Sequence, residues 1–327
     1  MGRRWPRTRT LGAFAAGLLI ASTVAAQTPR LVLRGQRWLP SEVDSARALT
    51  HEPAECLTLP TDPILRHSIE IGRAAFRSPL ILGGQAARAG LTCETCHRNG
   101  RRNPDFAFPR VSGAPGTADV TSSLFSSHRG DGVFNPKPIP DLAMPKAQLK
   151  VDQTSPHLET FIHGQVTEEF DGFEIPSAVL RGLADYVRSL SPTACPDTTD
   201  QVVGVANLLS DTDRALIAAQ RLAAEGDRPA AIAMVAAARA RLFLVDERFA
   251  APAPAQDRRA LRRLDGTLAQ AAQGLRGSTP DAAAGLAKSR KALADLGPRL
   301  RRSAPQSLFN PALLRAAMDG RLPRPPS

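Results

Sequence analysis

Cys93-Glu94-Thr95-Cys96-His97 is the stretch that most restricts what this chain can become. Two cysteines separated by two residues and followed at once by a histidine have the spacing at which haem is attached to a polypeptide. On one helical turn both sulfurs point at the two vinyl groups of a haem, and the imidazole is carried beneath the iron. The pentapeptide therefore predicts one covalent haem c, held through Cys93 and Cys96, with His97 as the proximal iron ligand. Zinc would need further Cys or His at ligand spacing, and the other cysteines, Cys56 and Cys195, lie far away in sequence. A redox dithiol would call for a βαβ setting that the sequence lacks.

The first residues agree with this chemistry. Arg3, Arg4, Arg7 and Arg9 precede an apolar run from Leu11 to Ala21, and Val24-Ala25-Ala26 offers a small-residue cleavage site. The pattern is that of a signal peptide over 1–26, with a mature chain from Gln27 and a periplasmic location. The formal charge of +11 includes four signal arginines and no signal acid, so 11 − 4 leaves +7 on the rest. Such a balance favours acidic redox partners or peripheral association with an anionic membrane. Export, with one Tyr and two Trp in the whole chain, argues against nucleic acid. In an oxidising compartment the leftover pair Cys56 and Cys195 is expected to form a disulfide, the alternative being two free buried thiols.

The pattern of residues predicts a mainly α chain. A leader or linker over 27–52 shows little periodicity, and the domain expected over 53–197 is rich in Gly, Pro, Asn and Asp. Within it a helix is predicted over Asp62 to Phe76, with Pro63 in its first turn, and another over Pro176 to Leu190. Between them, 99–155 is a long Pro-punctuated loop, expected to wrap a cofactor that supplies its apolar core. After Asp197 the composition turns to Ala, Leu and Arg. Helices are predicted over 211–224, 228–249, 256–274 and 280–296, as two antiparallel hairpins of a helical domain spanning 205–300. A basic, Pro-rich tail over 301–327 is expected to be poorly ordered.

Around the pentapeptide the combination resembles a class I c-type cytochrome over residues 60–192. Gly72-Arg73-Ala74-Ala75-Phe76 is similar to the N-terminal helix signature of that family, and Leu183 to Leu190 is similar to its C-terminal helix. The resemblance implies a close crossing of the two helices, with the small Gly72 accommodating Tyr186. The spacing from Phe76 to Cys93, through Pro79-Leu80-Ile81-Leu82-Gly83-Gly84, looks more like one haem domain of the bacterial di-haem cytochrome c peroxidases. Those use two haems, and this chain has a single attachment motif. The implied function is single-electron transfer, with a peroxidase-type haem enzyme or a haem-based redox sensor as alternatives.

The sixth iron position divides these readings. Met144, in a loop between Pro140 and Pro145, is the first candidate, and His128 and His163 are its rivals. His51, His67 and His157 are read as structural. The run Glu168 to Phe173 is expected to be a solvated acidic-aromatic loop near the haem edge.

Overall fold

The computed structural model describes residues 33–121, 124–144, 149–197, 199–250, 252–279 and 281–322. The signal segment 1–26 and its cleavage site lie outside the described residues. In chain order the elements begin with α1 (Ser45–Thr50), β1 (His51–Pro53), α2 (Pro63–Phe76), α3 (Pro79–Leu82), α4 (Gly84–Ala89) and α5 (Cys93–Cys96). There follow β2 (Thr117–Ala118), β3 (Lys137–Pro138), α6 (Leu158–Gly164), α7 (Ser177–Arg188) and β4 (Asp200–Val202). The chain closes with α8 (Val205–Ala224), α9 (Arg228–Arg248), α10 (Ala255–Arg276), α11 (Ala282–Ser303) and α12 (Pro311–Met318). The fold is mainly helical, with a multi-helix bundle in its second half.

α2 starts where its sequence says it should. Asp62 accepts hydrogen bonds from the backbone N–H groups of Ile64 (3.1 Å) and Leu65 (3.2 Å), and Pro63 fills a position that needs no donor. Its apolar face buries Ile69, Ile71, Ala75 and Phe76 against α7, which contributes Val179, Leu183, Tyr186 and Val187. The two helices touch backbone to backbone at Gly72 and Gly182. A Cβ added to Gly72 would fall 1.8 Å from the Gly182 carbonyl oxygen. Gly182, and not Tyr186, is thus the neighbour that requires Gly72 to be small. Tyr186 lies farther along the crossing, edge-on to Phe76, with ring centroids 5.1 Å apart.

The loop over 99–155 is less dependent on a cofactor for its core than its composition implies. Phe106, Val111, Phe125, Ile139 and Ala143 are buried in protein, and β2 pairs with β3 antiparallel. The acidic-aromatic run is not a wholly solvated loop either. A π-helical turn over Gln165–Glu169 extends α6 and buries Glu169, and Phe170 packs on Phe125, while Phe173 alone stands well out in solvent.

In the bundle α8 packs on α9, α9 on α10, α10 on α11, and α11 back on α8. Short links between successive helices make neighbours antiparallel, as expected. Helix α8 begins six residues before Asp211, whose carboxylate serves in an interface rather than as a cap. Helix α11 runs through Pro298 to Ser303.

Two expectations about the flanks are corrected. Residues 33–52 are folded, and so are residues 301–322: Leu33 and Ala46 form a small second core with Leu308, Leu314 and Ala317, and α1 packs on α12. Arg315 pairs with Asp44 at 2.9 Å. Asp44 and Asn310 cap the two helices, each accepting a backbone N–H. Among the described residues no helix is long and apolar enough to cross a membrane.

Candidate functional site

α5 is a single turn held by reciprocal capping. The Thr95 backbone N–H donates to Thr92 Oγ1 (3.1 Å), and the Thr92 N–H donates to Thr95 Oγ1 (3.0 Å). Cys93 and Cys96 are half-buried, unjoined thiols on this turn, and burial pushes each up to about 12. The chain then turns sharply through Asn99 (φ 51°) and Gly100 (φ 73°). A Cβ on Gly100 would lie 2.4 Å from Leu190 Cδ1, so any other residue there would have to displace Leu190 as well as adopt a left-handed dihedral angle.

His97 follows the turn. Its Nδ1 lies 3.0 Å from the Pro140 carbonyl oxygen. A carbonyl can only accept, so Nδ1 carries the hydrogen and Nε2 carries the lone pair. Among the described residues Nε2 makes no hydrogen bond, and it is not sealed from the surface. Burial lowers the imidazole to about 4, against the opposing effects of the Pro140 hydrogen bond and Asp141, so the ring is neutral through the ordinary pH range. Phe76 is its aromatic neighbour, at a centroid distance of 6.4 Å. Among the described residues no three of His, Cys, Asp and Glu converge on a point where a metal ion would be held.

Behind the turn lies a feature that the sequence reading missed. Glu94, between the two cysteines, accepts from Arg77 Nε (2.7 Å) and from Arg241 Nη1 of α9 (2.8 Å). Arg77 also reaches Glu55 at 2.9 Å and Asn99 Oδ1 at 2.7 Å, and Arg241 reaches Asp211 at 2.9 Å. Arg73 joins Glu55, and the Tyr186 hydroxyl donates to the same carboxylate at 2.8 Å. Burial alone would raise Glu55, but Arg77 and Arg73 hold it down at about 2. Asp211 is likewise held far below the usual carboxylate range by Arg241, Arg77 and Arg214. The network bolts the bundle to the back of the pentapeptide. Its sequence trace is an arginine directly after the apolar end of α2, at Arg77, and another among the buried residues of α9, at Arg241.

Cys56 and Cys195 form a disulfide with Cα atoms 4.0 Å apart, next to a Ser191 N–H to Cys56 carbonyl hydrogen bond of 3.0 Å. It closes a loop of 139 residues around the pentapeptide. Replacing both by serine is expected to lower stability by about 2–5 kcal/mol, read as a fall in Tm that reductant reproduces in the unaltered protein. An unchanged Tm would mean that the loop is closed equally well without the bond.

The remaining candidates are spread out. Met144 is half-buried, and its N–H donates to the Asp141 carbonyl (3.2 Å), which keeps it in the same turn as Pro140. His128 is exposed with Nδ1 3.2 Å from Asp171, and His163 lies 2.9 Å from Glu174. His51 lies beside the Thr50 hydroxyl at 3.0 Å, His67 points a buried, unpartnered Nε2 into the protein, and His157 immediately precedes α6. Compared with protein-family models, with characterised proteins and with solved structures, the chain matches none.

Proposed function

We propose that this is an exported c-type cytochrome that carries one haem on Cys93 and Cys96 and transfers single electrons. The reading rests first on His97. Its Nδ1–H is spent on Pro140, so Nε2 offers a fixed, unprotonated lone pair of the kind an iron ligand needs. The thiols support the same chemistry. Raised to about 12, they stay protonated, which ill suits a metal thiolate or an exchange-active dithiol.

When bound, the haem would supply the ferric–ferrous couple. The chain's own part is positional. The Thr92–Thr95 cap fixes the turn that carries the sulfurs, while Pro140 and Phe76 set the imidazole plane. Phe76 neighbours both His97 and Tyr186, which is the relation a cytochrome c-like crossing of α2 and α7 would have. The Cys56–Cys195 disulfide supports an oxidising compartment such as the periplasm. The exported protein should keep its haem through denaturing electrophoresis, and the Cys93→Ala/Cys96→Ala variant should lose it. Equal haem staining in the variant would sink the proposal.

The position of Met144 favours a second reading of the same site. Pro140 lies on the Nδ1 side of the imidazole, remote from the iron that Nε2 would meet, and Met144 stays within a turn of Pro140. To serve as a sixth ligand to a haem held by Nε2, Met144 would have to leave this turn. An iron without a strong sixth ligand would bind small molecules or peroxide. Under this reading the ferric spectrum is high-spin, responds quickly to cyanide, and does not change in Met144→Ala. A far-red thioether band that the variant loses would restore Met144 as the ligand and the plain electron carrier with it.

A further inference from the structure

The charge of this chain is concentrated in one place. Residues 255–303, the α10–α11 hairpin, hold eleven Lys and Arg against four Asp, a net +7. Residues 27–254 hold 24 basic and 26 acidic side chains, and 304–327 hold three and one, so everything else after residue 26 sums to zero.

Much of the hairpin's acid is already engaged. Asp257, buried, takes Arg299 and the Ser303 hydroxyl, Asp265 takes Arg239 of α9, and Asp295 takes Lys291. Arg259, Arg263, Arg276, Lys288, Arg301 and Arg302 are exposed and make no ion pair among the described residues. Four of them gather at one end. The contacts of Arg299 and Ser303 with Asp257 bring the last turn of α11 beside the first turn of α10. Arg259 and Arg263 are one turn apart on the same face of α10. Arg301 and Arg302 sit at the end of α11, where the helix dipole favours cations.

The chemistry of this face points to one kind of partner. Residues 255–303 contain no Phe, Trp, Tyr, Ile, Val or Met, and none of the exposed large hydrophobic residues among those described lies on the hairpin. Protein interfaces are organised around buried aromatic or aliphatic anchors, and this face has none to insert. A bilayer rich in anionic headgroups needs no anchor, because each basic side chain near it adds attraction without regard to shape. We propose that the α10–α11 face moors the protein on an anionic phospholipid surface. Helices α8 and α9 stand between α10–α11 and α2, and α9 also stands between the hairpin and the Cys93–His97 turn, which it reaches through Arg241. The proposal does not depend on what that turn carries.

The test is co-sedimentation of the full chain with vesicles of phosphatidylethanolamine containing about 30 mol% phosphatidylglycerol. Binding is expected at about 50 mM salt and its loss at about 500 mM. Vesicles of phosphatidylcholine should not bind. The R259E/R263E/R301E/R302E variant should bind at least ~10-fold more weakly, whereas R88E/R110E/K137E/R181E, reversed on the other half of the molecule, should bind about as well as the unaltered protein. Equal Tm values show that both variants fold, and glutamine replaces glutamate at the same positions if either does not. Equal binding by the hairpin variant, equal loss in the control, binding to neutral vesicles, or preference for duplex DNA or an acidic protein over these vesicles would each overturn the proposal.

Discussion

Replacing Gly72 by alanine is expected to produce one of the largest losses of stability available from a single methyl group in this protein. The new Cβ would stand 1.8 Å from the Gly182 carbonyl oxygen and 2.6 Å from the Leu183 backbone nitrogen. Neither obstacle is a side chain that can change rotamer, so α2 and α7 must separate. Separation also withdraws Phe76 from Tyr186 and loosens the shelf beside His97. Overpacking costs about 1–3 kcal/mol in ordinary cores, and contact with backbone places this case at the upper end or beyond it. Gly266→Ala is the matched control. That position lies inside α10 with nothing within 4 Å of an added Cβ, and there alanine should stabilise by about 1 kcal/mol. Thermal unfolding of the two variants should move in opposite directions. A Gly72→Ala protein that melts with the unaltered one would show that the close crossing is absent.

Arg77→Met should cost as much for an electrostatic reason. Arg77 is almost wholly buried and is shared by Glu55 and Glu94, so its removal leaves Glu55 to Arg73 and Glu94 to Arg241 and the buried network one positive charge short. Breaking a buried pair by deleting one partner costs about 3–5 kcal/mol. A second change, Glu94→Gln, should recover part of the loss by removing one stranded charge. The same arginine shapes the acid limb. Glu55 has a folded pKa of about 2 against an ordinary value of 4.5. A carboxylate depressed on folding contributes stability that is complete above its unfolded pKa and is lost as pH falls through the folded one. The unaltered protein should therefore weaken between pH 4.5 and about 2, and Arg77→Met should show a shallower slope across that window. Parallel slopes in the two proteins would remove Arg77 as the cause.

What could be read in the chain and what could not divides by the distance between partners. α2 was legible because Asp62 and Pro63 are adjacent to the residues they start, and the bundle was legible because its Ala, Leu and Arg recur at helical spacing. α1 and α12 carried equally local signals in Asp44 and Asn310-Pro311, and an Arg- and Pro-rich composition hid them. Asp211 looked like a helix start, because a carboxylate that caps and one that pairs across an interface are the same letter. The pentapeptide named its own three side chains. Nothing local named Pro140, 43 residues from His97, or Arg241, 147 residues from Glu94. Contacts of that range are set by how whole helices pack, and no window of sequence contains both partners.

The joining of the two flanks has a consequence for the order of folding. During export or synthesis residues 33–50 emerge early, yet the apolar partners of Leu33 and Ala46 are Leu308, Leu314 and Ala317, and Asp44 waits for Arg315 across 271 positions. Closing so long a separation is entropically slow. Until the last helix arrives, Leu33 lacks much of its cover and the buried guanidinium of Arg248, which donates to the Leu49 and Leu308 carbonyls, has only one of its two acceptors in place. The clasp between the flanks is thus a late checkpoint: a chain interrupted before residue 308 leaves its beginning unfinished.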